Sequence, residues 1–274
     1  MAETVVLAAD DGGSGDGLPV VFLHSLAGNT GQWEAQLTHL RRSRRAVALD
    51  WRGHGRSGAQ ESGDWSMEAL AGDVAAAVDR LGLPRFVLVG HSAGGMVALF
   101  YAARHPERVA GLLLLDAAGD MRRIPAEMID PFLAALQGDE YPKTIEGYWR
   151  TIAGPNAAVA ERLMADLRAT PRDTVTGIFA ALRETDVDAA LAAYRGPRLA
   201  VVTPANNGPF SLHNVDRSLP HRIVTGTAHW IQLEKPDEVN RMIDEFAAQV
   251  EQGGGMNRVV AADRAAREDD HLLR

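Results

Sequence analysis

Short uninterrupted apolar runs, each leading into a longer stretch of helical periodicity, recur along this chain, and few folds tolerate that pattern. A strand that is apolar at every position must be covered on both faces, which a parallel sheet flanked by helices provides. Residues 19–24 (Pro-Val-Val-Phe-Leu-His), 45–50, 86–90, 111–116, 197–203 and 221–225 read as such strands. Residues 4–8 read as a first strand before a turn-rich stretch over 10–17. Helical spacing over 67–81, closed by Gly82, over 96–104 and over 237–250 supplies the covering layers. From about residue 119 to 194 the rhythm breaks into helical patterns alone, at 126–137, 144–152, 157–169 and 174–183. A helical insertion between two strands reads as a cap over the strand ends, where open α/β folds bind ligands. The expected division is a core of residues 1–118 and 195–251, a cap of 119–194, and a tail of 252–274 that reads as a mobile appendage.

Of the 274 residues, 46% are hydrophobic and 23% charged, which suits one large α/β domain with an insertion. The net charge of −8 favours solubility and runs against nucleic-acid or anionic-membrane partners, which call for basic patches. The basic cluster Arg41-Arg42-Ser43-Arg44-Arg45 falls at a helix end, where cations face the negative end of the macrodipole. With no cysteine, disulfides, thiolate chemistry and cysteine–zinc sites are excluded. Met1-Ala2-Glu3-Thr4 shows no secretory signal and no apolar run approaches membrane length, so a cytoplasmic location is expected. Homo-oligomerisation is left open.

The chemistry concentrates at Gly90-His91-Ser92-Ala93-Gly94-Gly95, directly after an apolar strand and directly before a helical pattern. Flanking glycines let the backbone make a strained strand-to-helix turn that exposes a serine hydroxyl, and the helix start offers unpaired N–H groups beside it. The alternative is that Ser92 only caps the helix. A serine hydroxyl needs a base within about 2.6–3.2 Å. Among nine histidines, His229 in Gly226-Thr227-Ala228-His229-Trp230 follows the last strand, on the same sheet edge as Ser92. His39, His105, His221 and His271 read as surface or helix-end residues, His54 and His213 as loop residues, and His91 as pointing elsewhere.

In these segments the chain resembles the capped α/β-hydrolases of the esterase, lactonase and C–C-bond-hydrolase group, over about residues 4–250. The matching stretches are His24-Ser25-Leu26-Ala27-Gly28-Asn29, Asp50-Trp51-Arg52-Gly53-His54-Gly55-Arg56-Ser57, the Ser92 turn, His105-Pro106-Glu107-Arg108-Val109, and His229 with Glu234-Lys235-Pro236. The resemblance implies a mostly parallel eight-stranded sheet with flanking helices and a helical cap. It implies an oxyanion hole from the backbone N–H groups of Ala93 and Leu26, with Ser25 as a second choice. Ser25 stands where the family usually has glycine. Residues 50–57 mark the fold and receive no chemistry.

The family usually carries its acid in the loop that here reads Pro204-Ala205-Asn206-Asn207-Gly208-Pro209-Phe210, which has no carboxylate. Asp116 leads as the replacement, because related dehalogenases place their acid at the end of that strand. Asn206 or Asn207 as a neutral orienter, and Asp120 or Asp216, remain alternatives. Cap residues Phe132, Leu136, Tyr148, Trp149, Ile152, Phe179 and Leu182 divide between packing and pocket walls. Trp149, Phe132, Phe179 and Trp230 are the expected walls for a medium-sized apolar or aromatic acyl group. No metal or nucleotide motif is present, so no cofactor is expected.

The expected function is therefore serine esterase chemistry, with Ser92, His229 and Asp116 acting on a small ester-like substrate and water. Two alternatives stand beside it: the same residues used for C–C hydrolysis, perhydrolysis or lyase chemistry, and a ligand-binding protein on a hydrolase scaffold.

Overall fold

The computed structural model describes residues 5–58 and 63–253. Thr4 of the expected first strand, His271 and most of the expected tail lie outside the described residues. In chain order the elements are β1 (Ala8–Gly12), β2 (Val20–Leu23), α1 (Glu34–Leu40), β3 (Ala46–Asp50), α2 (Met67–Arg80), β4 (Phe86–His91), α3 (Ala93–Arg104) and β5 (Val109–Leu115). A helical insertion follows: α4 (Ala126–Gln137), α5 (Tyr141–Ala153), α6 (Ala157–Ala169), α7 (Arg172–Glu184) and α8 (Val187–Ala193). The chain then returns through β6 (Arg198–Val202), α9 (Leu212–Val215), β7 (His221–Ile223), α10 (Ile231–Glu234) and α11 (Pro236–Glu251).

The strands form one sheet in the order β1-β3-β2-β4-β5-β6-β7, parallel except for β1, which pairs antiparallel with β3. The α/β class stands, but the described residues hold seven strands, not eight. The first strand also sits at Ala8–Gly12 instead of residues 4–8, running into the stretch read as turns. Asp10, Asp11 and Gly12 are poor strand formers. Pairing along β3 overrides that preference, and Arg41 and Arg45 meet Asp10 and Asp11 at 2.8 and 2.7 Å.

The central strands are buried throughout, and successive side chains go to opposite layers, as in a doubly covered sheet. Val21, Leu88, Leu112 and Leu114 join the apolar layer of α2 and α3, while Phe22, Val89, Leu113 and Leu115 join that of α1 and α11. The helix after β4 begins at Ala93, three residues before the periodicity shows, because the glycine turn is itself the helix's first turn. Helix α8, which the sequence did not announce, is a short alanine-rich segment capped by Asp186 and packed on α3. Parallel strands place their carboxyl ends together, so the residues after β4, β5, β6 and β7 share one edge of the sheet.

Candidate active site

Ser92 sits between β4 and α3 at φ 55°, ψ −124°, a region that costs a non-glycine residue about 1–3 kcal/mol. Surrounding bonds over-determine it. Its N–H donates to the Leu115 carbonyl at 3.1 Å, and its own carbonyl accepts from Gly95 and Ala118 at 2.9 and 3.1 Å. The flanking glycines are sterically required: a Cβ on Gly90 would lie 2.5 Å from the Gly94 carbonyl oxygen, and one on Gly94 would lie 2.1 Å from that of His24. The Ser92 side chain makes no capping hydrogen bond to α3, so the cap alternative fails and the hydroxyl is left for other work.

His229, in the loop between β7 and α10, meets Asp116 Oδ2 through Nδ1 at 2.6 Å. Since Nδ1–H donates there, Nε2 carries the lone pair. Asp116 follows β5 and is almost fully buried. Thr203 N–H donates to its Oδ1 at 2.7 Å, and the Thr203 hydroxyl donates to Oδ2 at 3.0 Å. Burial works against the carboxylate charge. The bonded His229 imidazole, with Thr203 N–H and the nearby His91, outweighs burial and holds the carboxyl below its ordinary range. The other candidates are engaged elsewhere. Asp120 binds Arg122 and Arg123, Asp216 binds Arg198, Asn206 Nδ2 donates to the Ala117 carbonyl, and Asn207 faces His213.

The backbone of His229 is pinned from two sides. Its N–H donates to the Ile152 carbonyl of α5 at 3.2 Å, and its carbonyl accepts from His91 Nε2 at 2.9 Å. Gln232 Nε2 donates to His91 Nδ1 at 3.1 Å, which fixes that tautomer. His91 thus points away from Ser92 as expected, yet holds the loop that carries the imidazole, a role with no sequence signal. His213, read as a loop residue, is instead buried within α9.

The loop after β2 is held just as firmly. His54 Nε2 accepts the Ala27 N–H at 3.0 Å while its Nδ1 donates to the Arg52 carbonyl at 2.9 Å, and Asp50 Oδ1 accepts the Thr30 N–H at 2.6 Å. Residues 50–57 therefore set the backbone of the loop bearing Leu26. Gly28 N–H returns to the Ser25 carbonyl, leaving the Leu26 N–H without an acceptor among the described residues. Ala93, as first residue of α3, likewise has its N–H outside the helical ladder.

Three histidines in this frame are neutral because burial disfavours their charge. His91 is pushed down to about 3, with His229 adding to the effect, His54 to about 4, and His24 well below the usual value. Unfolded, each titrates near about 6.5. Below that pH the unfolded chain takes up protons that the folded chain refuses, so stability falls as pH drops from about 6.5 towards 4. Each group steepens the fall by up to about 1.4 kcal/mol per pH unit. The urea midpoint is expected to be clearly lower at pH 5 than at pH 7, and equal midpoints would contradict neutral burial of these rings.

Ser92, Ala93, Leu26, His229 and Trp230 line one cavity of about 360 Å³ between the sheet edge and the insertion. Phe132, Trp149 and Phe179 line it too, as the sequence suggested. Leu136 packs inside the helices instead. Met121, Ile124, Met128 and Ile129, at the start of the insertion, complete the wall and were not anticipated, since a methionine or isoleucine at helical spacing looks like any core residue. Besides Ser92 and His229, the lining side chains with polar atoms are Tyr148, Asn206 and the indoles of Trp149 and Trp230, and it holds no Lys, Arg, Asp or Glu. Among the described residues, no cluster of His, Cys, Asp and Glu is placed to hold a metal, and no helix is long and apolar enough to cross a membrane.

Comparison with known proteins gives the same picture at the level of the fold. The chain is 29% identical over 248 residues to the dihydrolipoyllysine-residue acetyltransferase component of an acetoin cleaving system from Pseudomonas putida, covering 86% of this chain and 64% of that protein. It thus spans less than two thirds of that relative's length. It is 29% identical to a non-heme haloperoxidase from Rhodococcus erythropolis, covering 85% of this chain and 93% of that one. A thermophilic esterase from Thermogutta terrifontis superposes with a TM-score of 0.77 at 27% identity, covering 90% and 94% of the two chains. Residues 19–174, which include Ser92 and Asp116, match the family model described as alpha/beta hydrolase fold. That match covers more than half of the sequence, and with the sheet order and strand-end site it establishes that the chain belongs to the α/β-hydrolase family.

Proposed function

We propose that the chain is a serine esterase that cleaves neutral, largely apolar carboxylic esters through an acyl-enzyme. The observation that carries this reading is the Asp116–His229 pair at 2.6 Å, whose imidazole lines the same cavity as the uncapped, strained Ser92. In the first half-reaction Ser92 Oγ bonds to the ester carbonyl carbon as its proton passes to His229 Nε2. The oxyanion rests on the N–H groups of Leu26 and Ala93, a preorganised arrangement in which one donor is worth roughly a hundredfold or more in rate. His229 then returns the proton to the departing alkoxide as the C–O bond breaks. Water, deprotonated by His229, attacks the acyl-enzyme, and Ser92 leaves with the proton.

Helices α4 to α7 act as the cap in this reading. Their apolar wall, free of charged side chains, suits an uncharged acyl or aryl group, and the cavity volume falls at the lower end of small-molecule sites, about 300–1,000 Å³. Labelling of Ser92 by a fluorophosphonate, with parallel loss of p-nitrophenyl ester turnover, tests the reading. Labelling elsewhere, or turnover that survives it, overturns the reading. The likeness to a non-heme haloperoxidase favours a second reading, in which hydrogen peroxide replaces water in the deacylation step and yields a peracid. Peracid formation outpacing ester hydrolysis would select it. The binding-scaffold alternative rested on the Asn206-Asn207 loop. With Asp116 on His229, that loop is not needed to orient the imidazole.

Ser25, the departure from the family pattern, gains a role here. Trp230 Nε1 donates to its hydroxyl at 3.2 Å and the hydroxyl donates to Gln32 Oε1 at 3.2 Å, tying the His229 loop to the Leu26 loop. Replacing Ser25 by alanine is expected to lower kcat about fivefold with little change in KM, the loss of roughly 1 kcal/mol for a buried hydrogen bond. Trp230→Phe should give a similar loss, and the double variant should lose no more than either alone. Additive losses in the double variant would mean that the two residues act separately.

A further inference from the structure

We propose that the Tyr148 hydroxyl is a substrate-recognition group, and that the natural substrate is a neutral ester or lactone with a second acceptor oxygen, an ether or a ketone, away from the scissile carbonyl. This rests on the ester-hydrolase reading and narrows its substrate class. Tyr148 stands on α5 and its ring is walled by Phe132, Trp149 and Phe179, with centroids 5.2, 5.7 and 6.0 Å away. Despite three aromatic neighbours it keeps 39% of its surface, and it lines the cavity. Burial raises the pKa of its hydroxyl, and the charge of Asp116, bonded to His229, adds to that rise. Tyr148 thus contributes open surface to the cavity wall.

Among the described residues nothing accepts a hydrogen bond from this phenol. Of the other donors nearby, the Trp149 Nε1–H is buried without an acceptor among the described residues, and the rest are committed. Asn206 donates its amide to the Ala117 carbonyl, His229 donates to Asp116, and Trp230 donates to Ser25. Elsewhere in the chain, the buried phenol of Tyr194 donates to the Val109 carbonyl, while that of Tyr101 has no partner among the described residues. A purely hydrocarbon acyl group that filled the cavity would strip water from Tyr148 and return nothing, an unfavourable exchange. A substrate oxygen placed opposite it accepts the bond instead. A carboxylate would find no cation in the wall, which leaves a neutral acceptor.

Matched ester pairs that differ by one oxygen-for-methylene exchange test this, with the exchange placed in the acyl part in one pair and in the alcohol part in the other. For at least one pair the wild-type enzyme is expected to favour the oxygen-bearing ester about tenfold or more in kcat/KM, and Tyr148→Phe should bring that ratio close to one. Because the readout is a ratio within one protein, a general loss of activity or of folded fraction does not imitate it. Titrating the Ser92→Ala protein with the same pairs, followed by tryptophan fluorescence, reads the same preference as binding when turnover is absent. A preference that survives Tyr148→Phe, or no preference in either pair by turnover or by binding, overturns the inference. Absent turnover with an intact binding preference would instead fault the esterase reading.

Discussion

Replacing Ser92 by alanine is expected to lower ester turnover by about four to six orders of magnitude while leaving stability nearly unchanged. The size follows from what is removed. Without the Oγ there is no acyl-enzyme, and the residual rate comes from the N–H groups of Leu26 and Ala93 and from binding alone. The unchanged fold follows from the local structure. Ser92 makes no side-chain bond that caps α3, and its positive φ is imposed by the bonds of its N–H and carbonyl, which alanine keeps. The comparison needs initial rates on a p-nitrophenyl ester together with urea unfolding of both proteins. Turnover within tenfold of wild type would remove the nucleophile assignment, and a large loss of stability would mean that the hydroxyl has a structural partner.

Asp116→Asn is expected to cost about a thousandfold to ten-thousandfold in kcat, in line with the analogous change in serine proteases. Two oxygens of Asp116 accept three donors: Thr203 N–H on Oδ1, and both the Thr203 hydroxyl and His229 Nδ1–H on Oδ2. An asparagine keeps one oxygen, which the fixed Thr203 N–H claims. Its amide N–H₂ then faces His229, where only an unprotonated Nδ1 fits. The imidazole proton moves to Nε2, and the atom that should take the Ser92 proton becomes a donor. The Thr203 hydroxyl can rotate to accept from the amide, so stability should fall by much less than activity.

The native carboxyl is held below its ordinary range, so it supports folding fully above the unfolded aspartate value. That support is lost as pH falls through the lower folded value. The variant should lack this acid-dependent contribution. A kcat within tenfold of wild type for Asp116→Asn would show that another group, with Asn206 nearest in sequence logic, orients the imidazole.

Sheet and helices are legible in the sequence where burial is strongest. Leu112 to Leu115 and Phe86 to Val89 are covered on both faces, so every position had to be apolar and the pattern was visible in one dimension. The strand at Ala8–Gly12 was misplaced because an edge strand needs only one covered face, and its aspartates are stabilised by arginines some 30 residues away. The pocket wall from Met121 to Ile129 was missed for a related reason. Apolar side chains lining a cavity and those filling a core have the same spacing.

By itself the sequence determined the α/β class, the helical insertion and the Ser92 turn, because each depends on local chemistry: unbroken apolar runs, helical periodicity, and glycines where no Cβ fits. It also narrowed the base to His229 by its place after the last strand. Only the tertiary structure decided which side chain meets that base, since Asp116, the leading candidate, lies 113 residues away and Asp120, Asp216, Asn206 and Asn207 stood as alternatives. It alone shows His54 holding Ala27, His91 holding His229 and Trp230 holding Ser25. The physical reason is that a hydrogen bond is made at about 3 Å in space. Residues distant in sequence come that close only when the sheet has brought its strand ends to one edge.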